Sequence, residues 1–169
     1  TDVGKKLNGF VMTLTNSVRF FELYADAGNK KPKAEPVNLL DRWILSRLNN
    51  LIAEVARGLD HYDYNKPARG IERFVVEDLS NWWLRRSRKR KEALGLLRFL
   101  LLELAKLLAP FTPFLAEDIY KQLSDKQQAT SKSVHLEDWP KVDKKAINKK
   151  LEEEMEGVTK EGAQSLRFR

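Results

Sequence analysis

Leu94-Gly95-Leu96-Leu97-Arg98-Phe99-Leu100-Leu101-Leu102-Glu103-Leu104-Ala105-Lys106-Leu107-Leu108 decides the fold of this chain. A helix with leucines on nearly every side must have most of its circumference covered by neighbours. That places it at the centre of a helical bundle. Pro110 and Pro113 then break the helix, because proline lacks the backbone donor and clashes with the preceding turn. A short helix is predicted from Phe114 to Leu123, followed by polar residues at 124–133. Val134-His135-Leu136-Glu137-Asp138-Trp139-Pro140 reads as a local anchor held by its tryptophan, and a charged, sparsely apolar helix over Asp143 to Leu166 as a peripheral one.

Upstream, the same three-and-four spacing recurs. Val3, Leu7, Phe10, Val11, Leu14, Val18, Phe21 and Tyr24 mark one face of a first helix, and Pro32, Pro36 and Gly28 mark a loop after it. Asn38 or Asp41 can cap a second helix with the stripe Leu40, Trp43, Ile44, Leu48, Leu51, Ile52, Val55 and Leu59. Asp60-His61-Tyr62-Asp63 turns the chain. A third helix opens near Asn65-Lys66-Pro67, where proline suits the first turn, and carries Ala68, Ile71, Phe74, Val75, Leu79 and Trp82 inward. The fold class is therefore all-α, an antiparallel helical bundle. Its parts divide as a bundle over 1–123, a loop with a Trp-Pro anchor over 124–142, and a charged C-terminal helix over 143–169.

The third helix runs into Ser80-Asn81-Trp82-Trp83-Leu84-Arg85-Arg86-Ser87-Arg88-Lys89-Arg90-Lys91. Between Lys66 and Lys91 nine basic residues face three acids, so this window holds +6 of the chain's net charge of +7. Aromatic faces beside guanidinium groups suit looped or single-stranded RNA, and a solvated end of a core helix is the competing reading. At 3.6 residues per turn, Trp82 belongs with the packed side. Trp83 falls at its edge, open to either the core or base stacking. Arg85, Arg88 and Lys89 face outward, and Asn81 can read a base edge or bond within the bundle. Lys66 and Arg69 open the same helix, where its dipole favours anions. Lys66, Arg69, Asn81, Trp83, Arg85, Arg86, Arg88, Lys89 and Arg90 are thus the candidate RNA contacts.

No catalytic constellation accompanies them. There is no cysteine, which excludes disulfides, thiolate metal sites and a cysteine nucleophile. His61 and His135 have no ligand spacing, no Gly-rich phosphate loop is present, and the Glu152–Glu156 acids read as a solvated face. No apolar run reaches the ~20 residues of a membrane span. A soluble protein of the reducing cytoplasm is expected, with no metal and no cofactor of its own.

Taken in order, Leu39-Leu40-Asp41-Arg42-Trp43-Ile44-Leu45-Ser46-Arg47-Leu48, Asp78 to Arg88, Leu107-Leu108-Ala109-Pro110-Phe111-Thr112-Pro113-Phe114 and Val134 to Pro140 resemble the isoleucyl-tRNA synthetases. The likeness is to the helical anticodon-binding domain of these class I enzymes. It covers nearly the whole chain, including Asp2 to Lys6 and Arg19 to Ala25 in the first helix. It implies a bundle of the class Ia synthetase anticodon-binding type that recognises the anticodon stem-loop of tRNA(Ile). The parent enzyme it implies is a monomer using ATP and Mg. Its catalytic and C-terminal parts would be partners in the same polypeptide, so an excised domain is expected. The valyl enzyme's domain is the nearest alternative, since the bundle is shared. A helical protein-docking module and a membrane-surface helix are the readings from other classes. Against the membrane, the contiguous cations spread charge around the helix. The chain departs from the family after the arginine run, where Lys91-Glu92 leads directly into Ala93-Leu94.

Overall fold

The structure, a computed structural model, describes residues 2–25, 36–124 and 133–157. Its helices are α1 (Asp2–Ala25), α2 (Leu39–Asp60), α3 (Asn65–Arg73), α4 (Arg85–Ser87), α5 (Ala93–Leu108) and α6 (Pro113–Leu123), with a seventh, α7, over 149–157. Between α3 and α4 the chain stays helical but widens into a π-helix, Phe74–Leu84. These three stretches form one continuous third helix. The described residues contain no strand. The all-α bundle read from the sequence is the observed fold.

Helix α5 sits where its leucines require. Leu96, Leu97, Leu100, Leu101, Leu104 and Leu107 are each at most 1% exposed. Helices α1, α2, α3 and α6 all pack against it. At ~1.5–3 kcal/mol for each fully buried leucine, α5 supplies much of the apolar driving force for folding. From the first helix Phe10, Leu14, Val18 and Phe21 enter the core, but Leu7 and Tyr24 stay half-exposed. The buried set follows a tighter stripe than the sequence suggests, with Ser17 occupying the core face and its hydroxyl donating to the Thr13 carbonyl.

Asn38 is the cap of α2, its Oδ1 accepting from the Asp41 amide at 2.9 Å. Asp41 reaches back to accept from the Val37 amide at 3.0 Å, a reciprocal arrangement close to a capping box. At the other end of α2, the amides of His61 and Asp63 both donate to the Gly58 carbonyl, turning the chain into α3. A β-carbon on Gly58 would lie 2.3 Å from Cγ of Pro67, so this close approach requires glycine.

The segment after α6 returns to the bundle. Val134 is buried and its amide donates to Glu117 at 3.0 Å, whereas Trp139 remains 36% exposed. Val134 and Pro140 are the buried side chains of this segment, with Trp139 beside them at the surface. Residues 144–146 form a turn, so α7 starts later than the sequence suggests, and 158–166 of the predicted helix lie outside the described residues. Leu151 enters the core. Glu152 accepts from Ser46, from Asn50 at 2.7 Å and from Arg47 at 3.4 Å, which fastens α7 to α2. The predicted loops at 25–37 and 124–133 fall mostly outside the described residues.

A basic helix end as candidate nucleic-acid interface

The third helix is built on a one-residue slip. An α-helical stripe from Ile71 would continue through Phe74, Val75, Asp78 and Trp82. The buried residues are instead Ile71, Phe74, Val75, Leu79, Trp83 and Leu84. An i→i+5 ring takes in one more residue than an α-turn, so residues five apart, such as Phe74, Leu79 and Leu84, share a face. The Arg85 amide donating to the Ser80 carbonyl is one such bond.

This winding exchanges the two tryptophans. Trp83 is 0% exposed, and its indole Nε1 donates to Oδ1 of Asp41 at 2.9 Å. It has no free face for a base, so Trp83 leaves the set of candidate RNA contacts and joins the core. Trp82, assigned to packing at α-helical pitch, is only partly buried against the core. The Cζ of Arg86 lies 3.3 Å from the centroid of its ring.

Arg90 is the second correction. Its Nη2 donates to Oδ1 of Asp41 at 2.7 Å and its Nη1 to Oδ2 at 3.0 Å, a bidentate pair with a carboxylate that is 1% exposed. Nη2 also donates to Oγ of Ser87 at 2.8 Å. A guanidinium held this way positions the chain, and its two amino groups are committed within the protein rather than free for phosphate. Burial pushes the Asp41 carboxyl up, but hydrogen bonds from Arg90, Val37 and Trp83, with the charge of Arg90, outweigh it and hold the group below its ordinary value. The corner from Arg88 to Glu92 is tightened by the Arg90 amide on the Ser87 carbonyl and the Ala93 amide on the Arg90 carbonyl. The short link after the arginine run is thus a closed turn with its own hydrogen bonds.

What remains exposed is a compact group of cations. Arg85, Arg86, Arg88 and Lys89 face solvent, and among the described residues none forms an ion pair with an acid. Two nearby acids are engaged elsewhere: Asp41 by Arg90, and Asp78 by Arg47 at 3.0 Å. Burial raises the Asp78 carboxyl despite Arg47 beside it. The cations end a helix, where its dipole stabilises positive charge and the protein needs no counter-ion to hold them. Asn81 is exposed, and among the described residues its side chain makes no hydrogen bond.

Lys66 and Arg69 are exposed as well, but not in this group. Some twenty residues of helix place them roughly 25–30 Å from Arg86. The N-terminus they flank already has its anion, since Oδ1 of Asp63 accepts from the Asn65 and Lys66 amides at 3.2 and 3.4 Å. The structure therefore separates the candidates into a cluster at Asn81–Lys89 and an outlying pair.

The chain that folds into this bundle belongs to the family of the anticodon-binding domain of tRNA ligases, whose model matches residues 41–167, about three quarters of the sequence. Isoleucine–tRNA ligases are among the relatives it matches. That of Dehalococcoides mccartyi strain CBDB1 is 43% identical over 173 residues, covering 94% of this chain and 17% of the relative. That of Pyrococcus abyssi is 43% identical over 143 residues, covering 79% of this chain and 13% of the relative. That of Deinococcus radiodurans is 37% identical over 171 residues, covering 94% of this chain and 15% of the relative. The chain thus spans about a sixth of the length of these curated relatives. Among the described residues no helix is long and apolar enough to cross a membrane.

Proposed function

We propose that this chain binds the anticodon stem-loop of an isoleucine tRNA, as one domain of an isoleucine–tRNA ligase. The observation that carries this reading is the cluster Arg85, Arg86, Arg88 and Lys89, held at one helix end without acidic partners among the described residues. Such cations contact phosphates and set register, while Asn81 offers an amide to a base edge. Membership in the anticodon-binding family and the isoleucine–tRNA ligase relatives support the choice of RNA and of amino acid.

The role is binding, not chemistry. ATP and Mg serve the parent enzyme in its catalytic part, a monomeric cytoplasmic ligase in this reading. Engagement of the anticodon would place the distant acceptor end for charging. Lys66 and Arg69 would touch a different stretch of the tRNA from the main cluster, given their separation along the helix.

Fluorescence-anisotropy titrations test this with an isoleucine anticodon stem-loop and the same hairpin with a scrambled loop, at two salt concentrations. Tighter, salt-sensitive binding to the native loop is expected. Equal binding to both hairpins would reduce the surface to an electrostatic handhold. Arg88→Ala should weaken binding and reduce the magnitude of the log–log salt slope by about 0.7–0.9, the value of one phosphate contact. An unchanged slope would remove Arg88 from the interface.

A further inference from the structure

Arg86 lies in the open cluster but is the member that is not simply solvated. With its Cζ 3.3 Å from the Trp82 ring centroid, a guanidinium standing on edge would drive a nitrogen into the indole, so the group lies flat upon it. Its Nη1 also donates to the Trp82 carbonyl at 3.3 Å, which restricts rotation in that plane. One face of the guanidinium is thus covered by the ring while the residue remains exposed to solvent. The indole beneath it is packed against the core and does not move freely. Its Nε1 is buried and has no acceptor, which makes Trp82 the one tryptophan side chain on this helix with an unanswered donor.

Planar guanidinium groups stack on nucleobases as aromatic rings do, and a preordered one loses little freedom on binding. We infer that the Trp82–Arg86 stack is the base-receiving platform of this surface: an unpaired base of the RNA loop stacks on the outer face of Arg86, with the indole as its backing. Flanking Arg85, Arg88 and Lys89 hold the backbone, and Asn81, one residue before the indole, meets the base at its edge. The inference rests on the RNA reading above and adds a requirement that reading lacks: the residue at 86 must be flat as well as charged.

The 169-residue chain and its Arg86→Lys variant are titrated with the isoleucine anticodon stem-loop carrying 2-aminopurine at a loop position, and with a blunt duplex of the stem alone. Lysine keeps the charge and loses the plane. The expected result is a roughly tenfold loss of affinity for the hairpin, within the range of one stacked base, with the salt slope and duplex binding unchanged. The quenching of 2-aminopurine on binding should disappear with it. Trp82→Leu should produce the same loss of quenching, with thermal unfolding recorded alongside to show that the bundle persists. Arg86→Lys binding and quenching as the parent chain does would overturn the platform while leaving the RNA reading intact. Failure of the parent chain to prefer the hairpin over the duplex would overturn both.

Discussion

Asp41→Ala is expected to destabilise the bundle by about 4 kcal/mol, because it removes one partner of a buried ion pair and leaves the other uncompensated. The carboxylate accepts four hydrogen bonds: two from Arg90, one from the Trp83 indole and one from the Val37 amide. All four donors lose their partner at once, and they come from the start of α2, the π-helix and the corner before α5. For a chain of this size the loss corresponds to a fall in Tm of roughly 8–16 °C. Urea unfolding followed by circular dichroism gives the value, with Arg90→Met and the double variant completing a cycle. A coupling energy near zero, or a loss under about 1 kcal/mol in Asp41→Ala, would show that this network does not hold the three elements together.

The same carboxylate gives the fold an acid dependence. Its folded-state pKa lies below the ordinary value, so its contribution is complete above the unfolded aspartate range, about 3.9, and is lost as pH falls through the folded value. Asp78 acts with the opposite sign, since its raised folded pKa favours the folded state as protons are taken up. Unfolding midpoints measured from pH 7 to 3 should therefore fall below about pH 4 in the parent chain and fall less in Asp41→Asn. Parallel curves for the two proteins would assign the acid sensitivity to other groups.

The bundle was legible because burial in helices is periodic and the leucines of α5 leave few alternatives. Caps and breaks were equally open to reading: Asn38 is the kind of residue that begins a helix, and Pro110 and Pro113 flank a helix boundary. The candidate site was legible only as composition. Which cations stay open depends on long-range pairing, and nothing local in Arg90 distinguishes it from Arg88. Asp41 lies forty-nine positions from Arg90, and only folding brings them to 2.7 Å. The exchange of Trp82 and Trp83 did leave a trace. Phe74, Leu79 and Leu84 are spaced by five, which an α-helix cannot keep on one face and a π-helix can. Once the winding follows that spacing, Trp83 falls beside Leu84 and Leu79 in the core, and Trp82 moves to its margin.

Trp83→Ala is the second large expectation, a loss of about 4 kcal/mol, in the range for removing a fully enclosed tryptophan. The ring is 0% exposed, on a π-helix packed against α1 and α2, so its removal opens a cavity that the π-helix is poorly placed to collapse. It also takes one donor from the Asp41 carboxylate. Trp83→Phe separates the two effects, since it restores most of the volume and loses only the hydrogen bond, at about 1.5–3 kcal/mol for a bond to a charged group. Because Trp83 offers no face to a ligand, both variants should bind the anticodon hairpin with an unaltered salt slope at temperatures where they remain folded. Trp82→Leu should behave in reverse, changing the loop preference more than the unfolding midpoint. If Trp83→Ala kept its midpoint and lost discrimination between native and scrambled loops, the π-helical register would be wrong. The half-buried position would then belong to Trp83, as an α-helical count from Ile71 would place it.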